Sequence, residues 1–166
     1  MIAIGADHGG FKLKEEVKRY LEEQGIKVKD VGTYSEEKAD YPIFAAEVSK
    51  AVQSGECEKG ILICRSGYGM SMVANKFKGI RSAPCFEETA AKYSRMHNDA
   101  NVLAIRSRLC FNKWSNMYCK NVHCNRIWRW KTYCKIKPNK RHREWKYEIR
   151  IHKERRNART IKTNRK

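Results

Sequence analysis

Residues 60–76, Gly-Ile-Leu-Ile-Cys-Arg-Ser-Gly-Tyr-Gly-Met-Ser-Met-Val-Ala-Asn-Lys, constrain the fold of this chain more than any other stretch. Three aliphatic residues, Ile61 to Ile63, run without a polar interruption, the pattern of a strand buried on both faces. The run ends in Cys64. A turn containing Gly67 and Gly69 follows at once, and residues 70–76 then read as a short helix. Such a turn can expose several backbone N–H groups, and these attract anions. A thiol at a strand's carboxyl end, beside an anion cradle, suits an enzyme whose substrate is or becomes negatively charged.

The same alternation of strand and helix extends over the first two thirds of the chain. Ile2–Ala6 reads as a buried strand. Residues 10–24 read as a helix with Phe11, Leu13, Val17 and Leu21 on one face and lysines and glutamates on the other. Gly25 stops it, and 26–31 form a second strand. Tyr41-Pro42 opens a helix through residue 52 with Phe44, Val48 and Val52 inward, proline suiting its first turn. Strands over 60–64, 80–83 and 101–105 and a helix over 87–97 complete the pattern. Strands separated by helices predict an α/β, doubly wound, Rossmann-like parallel sheet of five strands, covered on both faces.

Composition divides the chain. The net charge of +18 would point to a nucleic-acid partner if it were spread evenly. It is not: residues 1–109 hold 17 Lys and Arg against 15 Asp and Glu, whereas residues 110–166 hold 19 against 3. All ten glycines lie in the first part, and all four tryptophans and four of the seven cysteines in the second. We therefore expect a domain over 1–109 and a basic, poorly ordered tail over 110–166. The N-terminus lacks the charged and apolar regions of a signal peptide, and no run is long enough to span a membrane. Cys57 and Cys64 fit a reduced compartment better than a disulfide framework, so a cytoplasmic location is expected.

Ligands of doubly wound sheets bind outside the carboxyl ends of the strands. Read that way, Asp7-His8-Gly9-Gly10, Gly32-Thr33, Asp40-Tyr41, Cys64 with the Ser66-Gly67-Tyr68-Gly69 loop, His97-Asn98-Asp99, and Arg106 and Arg108 converge on one rim. That collection suits proton transfer on a phosphorylated, carbonyl-bearing small molecule. Each residue taken singly has an ordinary reading: a strand-end cysteine is more often a small buried hydrophobe, and strand-to-helix turns often need glycine. Their joint placement carries the argument.

The motifs Asp7-His8-Gly9-Gly10, Asp40-Tyr41-Pro42, Gly60-Ile-Leu-Ile-Cys64, Gly67-x-Gly69-Met-Ser71, Ala74-Asn-Lys76, Gly79-Ile-Arg81 and His97-Asn-Asp-Ala-Asn101 resemble those of ribose-5-phosphate isomerase B and its sugar-phosphate isomerase relatives. The resemblance runs from Met1 to about Leu109. It implies aldose–ketose isomerisation through a cis-enediolate, with Cys64 moving the proton and Ser66 beside the reacting end. It gives the amides around Gly67, Tyr68, Gly69 and Ser71 the oxyanion, and His97 the opening of the furanose ring. Asp7 and His8 would bind hydroxyls or phosphate, Asn98 a substrate oxygen and Arg108 the phosphate. It implies no metal or organic cofactor, and a homodimer or tetramer. Cys64 speaks against the galactose 6-phosphate branch, where this thiol is generally absent. Arg65 stands where the family usually has glycine. There it either crowds the anion loop or adds positive charge beside the thiol, so an allose 6-phosphate or galactose 6-phosphate type of substrate stays open.

Family members continue with a long helix and a Gly-Gly-Arg-His segment; residues 110–166 carry no apolar stripe of useful length and no glycine. Read one base later, codons for residues 127–135 permit Phe-Gly-Gly-Gly-Arg-His-Thr-Ala-Arg, and Trp128 and Trp130 force glycine. We read the tail as an out-of-frame translation. The rival reading is a nucleic-acid-binding tail, with Trp128, Trp130, Tyr133 and Trp145 stacking on bases; nucleic acid is the less favoured partner. Cys119, His123, Cys124, Cys134 and His142 match no standard zinc-finger spacing.

Overall fold

A computed structural model describes residues 1–107 of the 166 in the chain. Arg108 and every expectation about the 110–166 tail lie outside the described residues. The elements are β1 (Ile2–Ala6), α1 (Phe11–Glu23), β2 (Val28–Asp30), α2 (Tyr41–Gln53), β3 (Lys59–Cys64), α3 (Tyr68–Ala74), β4 (Ser82–Pro84), α4 (Glu88–Asn98) and β5 (Val102–Arg106). All five strands are parallel, in the order β2-β1-β3-β5-β4. The α/β doubly wound sheet expected from the strand–helix alternation is therefore the fold.

Successive strand residues alternate between two apolar layers, as the two-residue period of a strand requires. Ile61, Ile63, Leu103 and Ile105 pack with Leu13, Val17 and Leu21 of α1 and Ala91 of α4. Leu62, Cys64, Val102 and Ala104 pack with Ala45 and Val48 of α2 and Met70 and Ala74 of α3. The centre of the sheet is β3, flanked by β1 and β5, and these three strands carry the buried apolar runs. Connections from β1 lead to one side and those from β3 to the other, so a switch point lies between their carboxyl ends, where doubly wound folds bind ligands.

Several local expectations need correction. The short helix begins at Tyr68, not at residue 70, because Gly67 occupies the left-handed region at φ 81° and turns the chain directly into it. Tyr68 and Gly69 thus belong to its first turn. β4 begins at Ser82, not at residue 80, because the side chain of Asn101 holds 79–81 as a turn: its Oδ1 accepts from Arg81 N at 2.8 Å and its Nδ2 donates to Gly79 O at 2.9 Å. Phe44 and Val52 sit at the margin of the second layer rather than inside it. Lys14, placed on the outer face of α1 by periodicity, is wholly buried against Asp30.

β4 is an edge strand, and Asn75 covers part of that edge. Its Oδ1 accepts from Ser82 N at 2.8 Å and its Nδ2 donates to Ser82 O at 2.9 Å, the two bonds a further strand would make. Asn75 and Asn101, both in motifs that carry the resemblance, thus make structural bonds. Asn75→Ala should lower stability by about 0.5–1.5 kcal/mol, since it leaves Ser82 N unpaired and Ser82 O with the Ser71 hydroxyl alone; thermal unfolding of the variant measures this.

Candidate active site

The site is built where β1 and β3 end. Ala6 pairs with Ile63 in register, and Asp7 N continues the ladder by donating to Ile63 O at 3.2 Å. Beyond this the chain turns sharply: Gly10 N donates to Asp7 O and to Asp7 Oδ1. A Cβ at Gly10 would lie 2.3 Å from Ile63 O, so no larger residue fits where α1 starts against β3. Burial raises the Asp7 carboxyl above its usual range, against the opposing pull of the Gly10 amide, His8, the Gly9 amide and Arg65. The His8 ring lies half-buried with Nδ1 3.3 Å from both backbone polar atoms of Ala39, which leaves Nε2 as its other polar atom.

Cys64 is 4% exposed, and its Sγ accepts a hydrogen bond from Gly67 N at 3.0 Å. The thiol is therefore held against the loop that follows it. This amends the expected oxyanion cradle: the Gly67 amide is engaged by sulfur, and the first-turn amides of α3, which have no partner within the helix, are the remaining donors. The Ser71 hydroxyl donates to Ser82 O at 3.2 Å, so its side chain ties α3 to β4. Arg65 and Ser66 are exposed. A Cβ on Gly9 would sit 3.6 Å from Arg65 Cβ, which places Arg65 beside the β1 turn. Ser107 fastens the third strand end to the other two: its N donates to Cys64 O at 2.9 Å and its Oγ to Gly9 O at 2.6 Å.

Aromatic side chains that sequence reasoning left without a role line this region. A Cβ on Gly69 would meet the Tyr41 ring at 2.9 Å, so Tyr41 rests on the first turn of α3. Phe86 packs edge-on against Tyr68, with ring centroids 5.1 Å apart. The Asp40-Tyr41-Pro42 motif was the available signal for Tyr41; nothing local marked Phe86.

Two expected members are not here. α4 runs back along the sheet and delivers His97 and Asn98 to the amino-terminal edge. Asn98 O accepts from Arg81 Nε, ahead of β4, and Asn101 O accepts from Gly60 N at the start of β3. Gly60 and Cys64 are four residues apart on one strand, about 13 Å. Within one chain, then, His97 and Asn98 stand at the opposite end of the sheet from Cys64, His8 and Asp7. His97 is exposed, its ring 5.1 Å from that of Tyr93. Asn98 helps line a cavity of about 580 Å³ beside β4. Among the described residues no group of three or more His, Cys, Asp or Glu could hold a metal ion, and no helix is long and apolar enough to cross a membrane.

A cysteine and an amide-rich turn thus stand together at the switch point of a doubly wound sheet. The family model described as Ribose/Galactose Isomerase matches residues 2–123, and the chain belongs to this family. It is 53% identical over 108 residues to ribose-5-phosphate isomerase B of Escherichia coli K12, an alignment spanning 65% of this chain and 72% of that protein. It is 46% identical over 106 residues to the 4-deoxy-4-sulfo-D-erythrose isomerase of a Clostridium species, spanning 63% and 66%. The solved ribose-5-phosphate isomerase B of Clostridium thermocellum superposes with a TM-score of 0.67 at 40% identity, covering 81% of this chain and 95% of that one.

Proposed function

We propose that the chain interconverts ribose 5-phosphate and ribulose 5-phosphate through a cis-enediolate. The observation that carries this reading is Cys64 Sγ at the switch point, 3.0 Å from the Gly67 amide and next to further free amides of α3. Cys64 takes the proton from C2 of the open aldose and returns it to C1, while the oxygens of C1 and C2 exchange theirs. The α3 amides stabilise the charge that develops on the enediolate oxygens, and Ser66 stands beside the reacting end. Asp7 and His8 bind hydroxyls or phosphate, and Arg108, outside the described residues, contributes to the phosphate. The 53% identity to a relative named for ribose 5-phosphate supports this sugar over an allose or galactose 6-phosphate.

Ring opening by His97, with Asn98 on a substrate oxygen, needs a second copy. A residue at the amino-terminal edge of one sheet reaches Cys64 only in a neighbouring chain, so a symmetric homodimer is part of the proposal. Turnover of ribose 5-phosphate, against allose 6-phosphate and galactose 6-phosphate, tests the substrate. A Cys64→Ala chain and a His97→Ala chain, each inactive as a homodimer, should recover activity when mixed and allowed to exchange. No recovery would return His97 to a structural role.

A further inference from the structure

We propose that Arg106 holds the anionic substituent of the substrate, in the same chain as Cys64; this rests on the isomerase reading above. Arg106 is the register partner of Cys64 on the neighbouring strand. Val102 and Ala104 share an apolar layer with Leu62 and Cys64. Strand residues two apart share a face, so Arg106 leaves the sheet on the side of the Cys64 thiol, one strand spacing away, about 4.8 Å. The amide loop rests directly on it: a Cβ at Gly67 would lie 3.4 Å from Arg106 N.

The side chain is oriented but not satisfied. Its guanidinium carbon lies 5.3 Å from the centroid of the Phe86 ring, which in turn braces Tyr68. Stacking on an aromatic face fixes the plane of a guanidinium and leaves its N–H edge open. Nε is buried, and no described residue accepts a hydrogen bond from it. Arg81 by contrast donates through Nε to Asn98 O; Arg95 Nε also lacks an acceptor, but its Nη1 is taken by Asp99 and Ala100 O, whereas no described residue pairs with the Arg106 guanidinium. A planar donor edge carried on the strand next to Cys64, stacked on Phe86 and lacking an acceptor, fits a phosphate or sulfonate oxygen pair, which guanidinium binds in two-pronged fashion. Arg65, exposed beside the β1 turn, adds positive charge to the same rim.

The test uses the full chain and two readouts: calorimetric binding of inorganic phosphate, and steady-state turnover of ribose 5-phosphate. Arg106→Met should weaken phosphate binding and raise KM by about tenfold or more, with kcat within about threefold. Arg106→Lys should recover part of the binding, since it restores charge without the fork, and it covers the case in which the methionine variant does not fold. Phosphate binding that is absent from the unmodified chain, or unchanged in both variants, would overturn the assignment. So would a fall in kcat at constant KM, which would move Arg106 to the reacting oxygens. Arg106-dependent phosphate binding in a chain that turns over no ribose 5-phosphate would uphold the anion site and discard the isomerase reading.

Discussion

Cys64→Ser should abolish most of the isomerase activity while leaving the fold in place. Loss of a positioned acid–base group costs about 10²–10⁴-fold in rate, equivalent to roughly 3–5 kcal/mol of barrier. The substitution changes little else: the side chain is small, 4% exposed, and accepts one bond from the Gly67 amide that a hydroxyl can also accept. The effect should fall on kcat rather than KM, because in the proposed reaction the thiol acts on the proton and not on binding. Steady-state kinetics with ribose 5-phosphate and a thermal melt of the same preparation test it together. Activity within about tenfold of the unmodified chain would remove Cys64 as the base.

Lys14→Met should produce the largest loss of stability. Lys14 is fully buried and its ammonium lies 2.5 Å from Asp30 Oδ2 and 2.6 Å from Glu15 Oε1. It also lies over the rings of Phe11 and Tyr34, at 5.7 and 5.3 Å. Asp30 keeps Lys18 at 3.0 Å and the Gly32 amide, but its side chain is only 10% exposed. Removing one partner of a buried pair costs about 3–5 kcal/mol, and the remaining Lys18 places the expectation at the lower end. A Lys14→Met, Asp30→Asn double variant should recover much of the loss, because the orphaned charge is gone. Chemical denaturation of the three variants decides the point.

The pair also sets an acid limit. Burial alone would raise the Asp30 carboxyl, but the Lys14 bond, the Gly32 amide and the Lys18 bond outweigh it and hold it below its ordinary 3.8. The stability it contributes is therefore complete above pH 3.8 and is lost as pH falls through the lower folded value. In Lys14→Met the burial effect loses its main opponent, and the acid loss should begin at a higher pH. Asp7 works in the opposite sense: its carboxyl is raised by burial, so its share of stability is lost as pH rises past 3.8 through the folded value. Melting temperatures across this range, for the unmodified chain and Lys14→Met, separate the two.

The strand, thiol and turn of the candidate centre were legible because their signals are local. An apolar run, a thiol and glycines two residues apart specify a buried strand feeding a tight turn, whatever the rest of the chain does. The placement of His97 and Asn98 on the same rim was an error of topology. A crossover helix between parallel strands must return to the amino-terminal edge, and that rule, applied to residues 87–97, places them correctly. Arg106 was noted only as lying near the rim. Its place next to Cys64 depends on β5, not β4, being the neighbour of β3, and strand order leaves no mark on hydrophobic periodicity.

The sequence by itself determined the strand–helix alternation, the doubly wound class and the thiol-and-turn centre. All three follow from apolar spacing and backbone freedom over a few residues. Only the tertiary structure decided that Lys14 is buried, that Asn75 guards the β4 edge, that Tyr41 and Phe86 line the loop, and that Arg106 stands beside Cys64. Each of these is a pairing between residues distant in sequence. A polar side chain's environment is set by which elements come to lie against it, and that is a property of the packed sheet rather than of any segment.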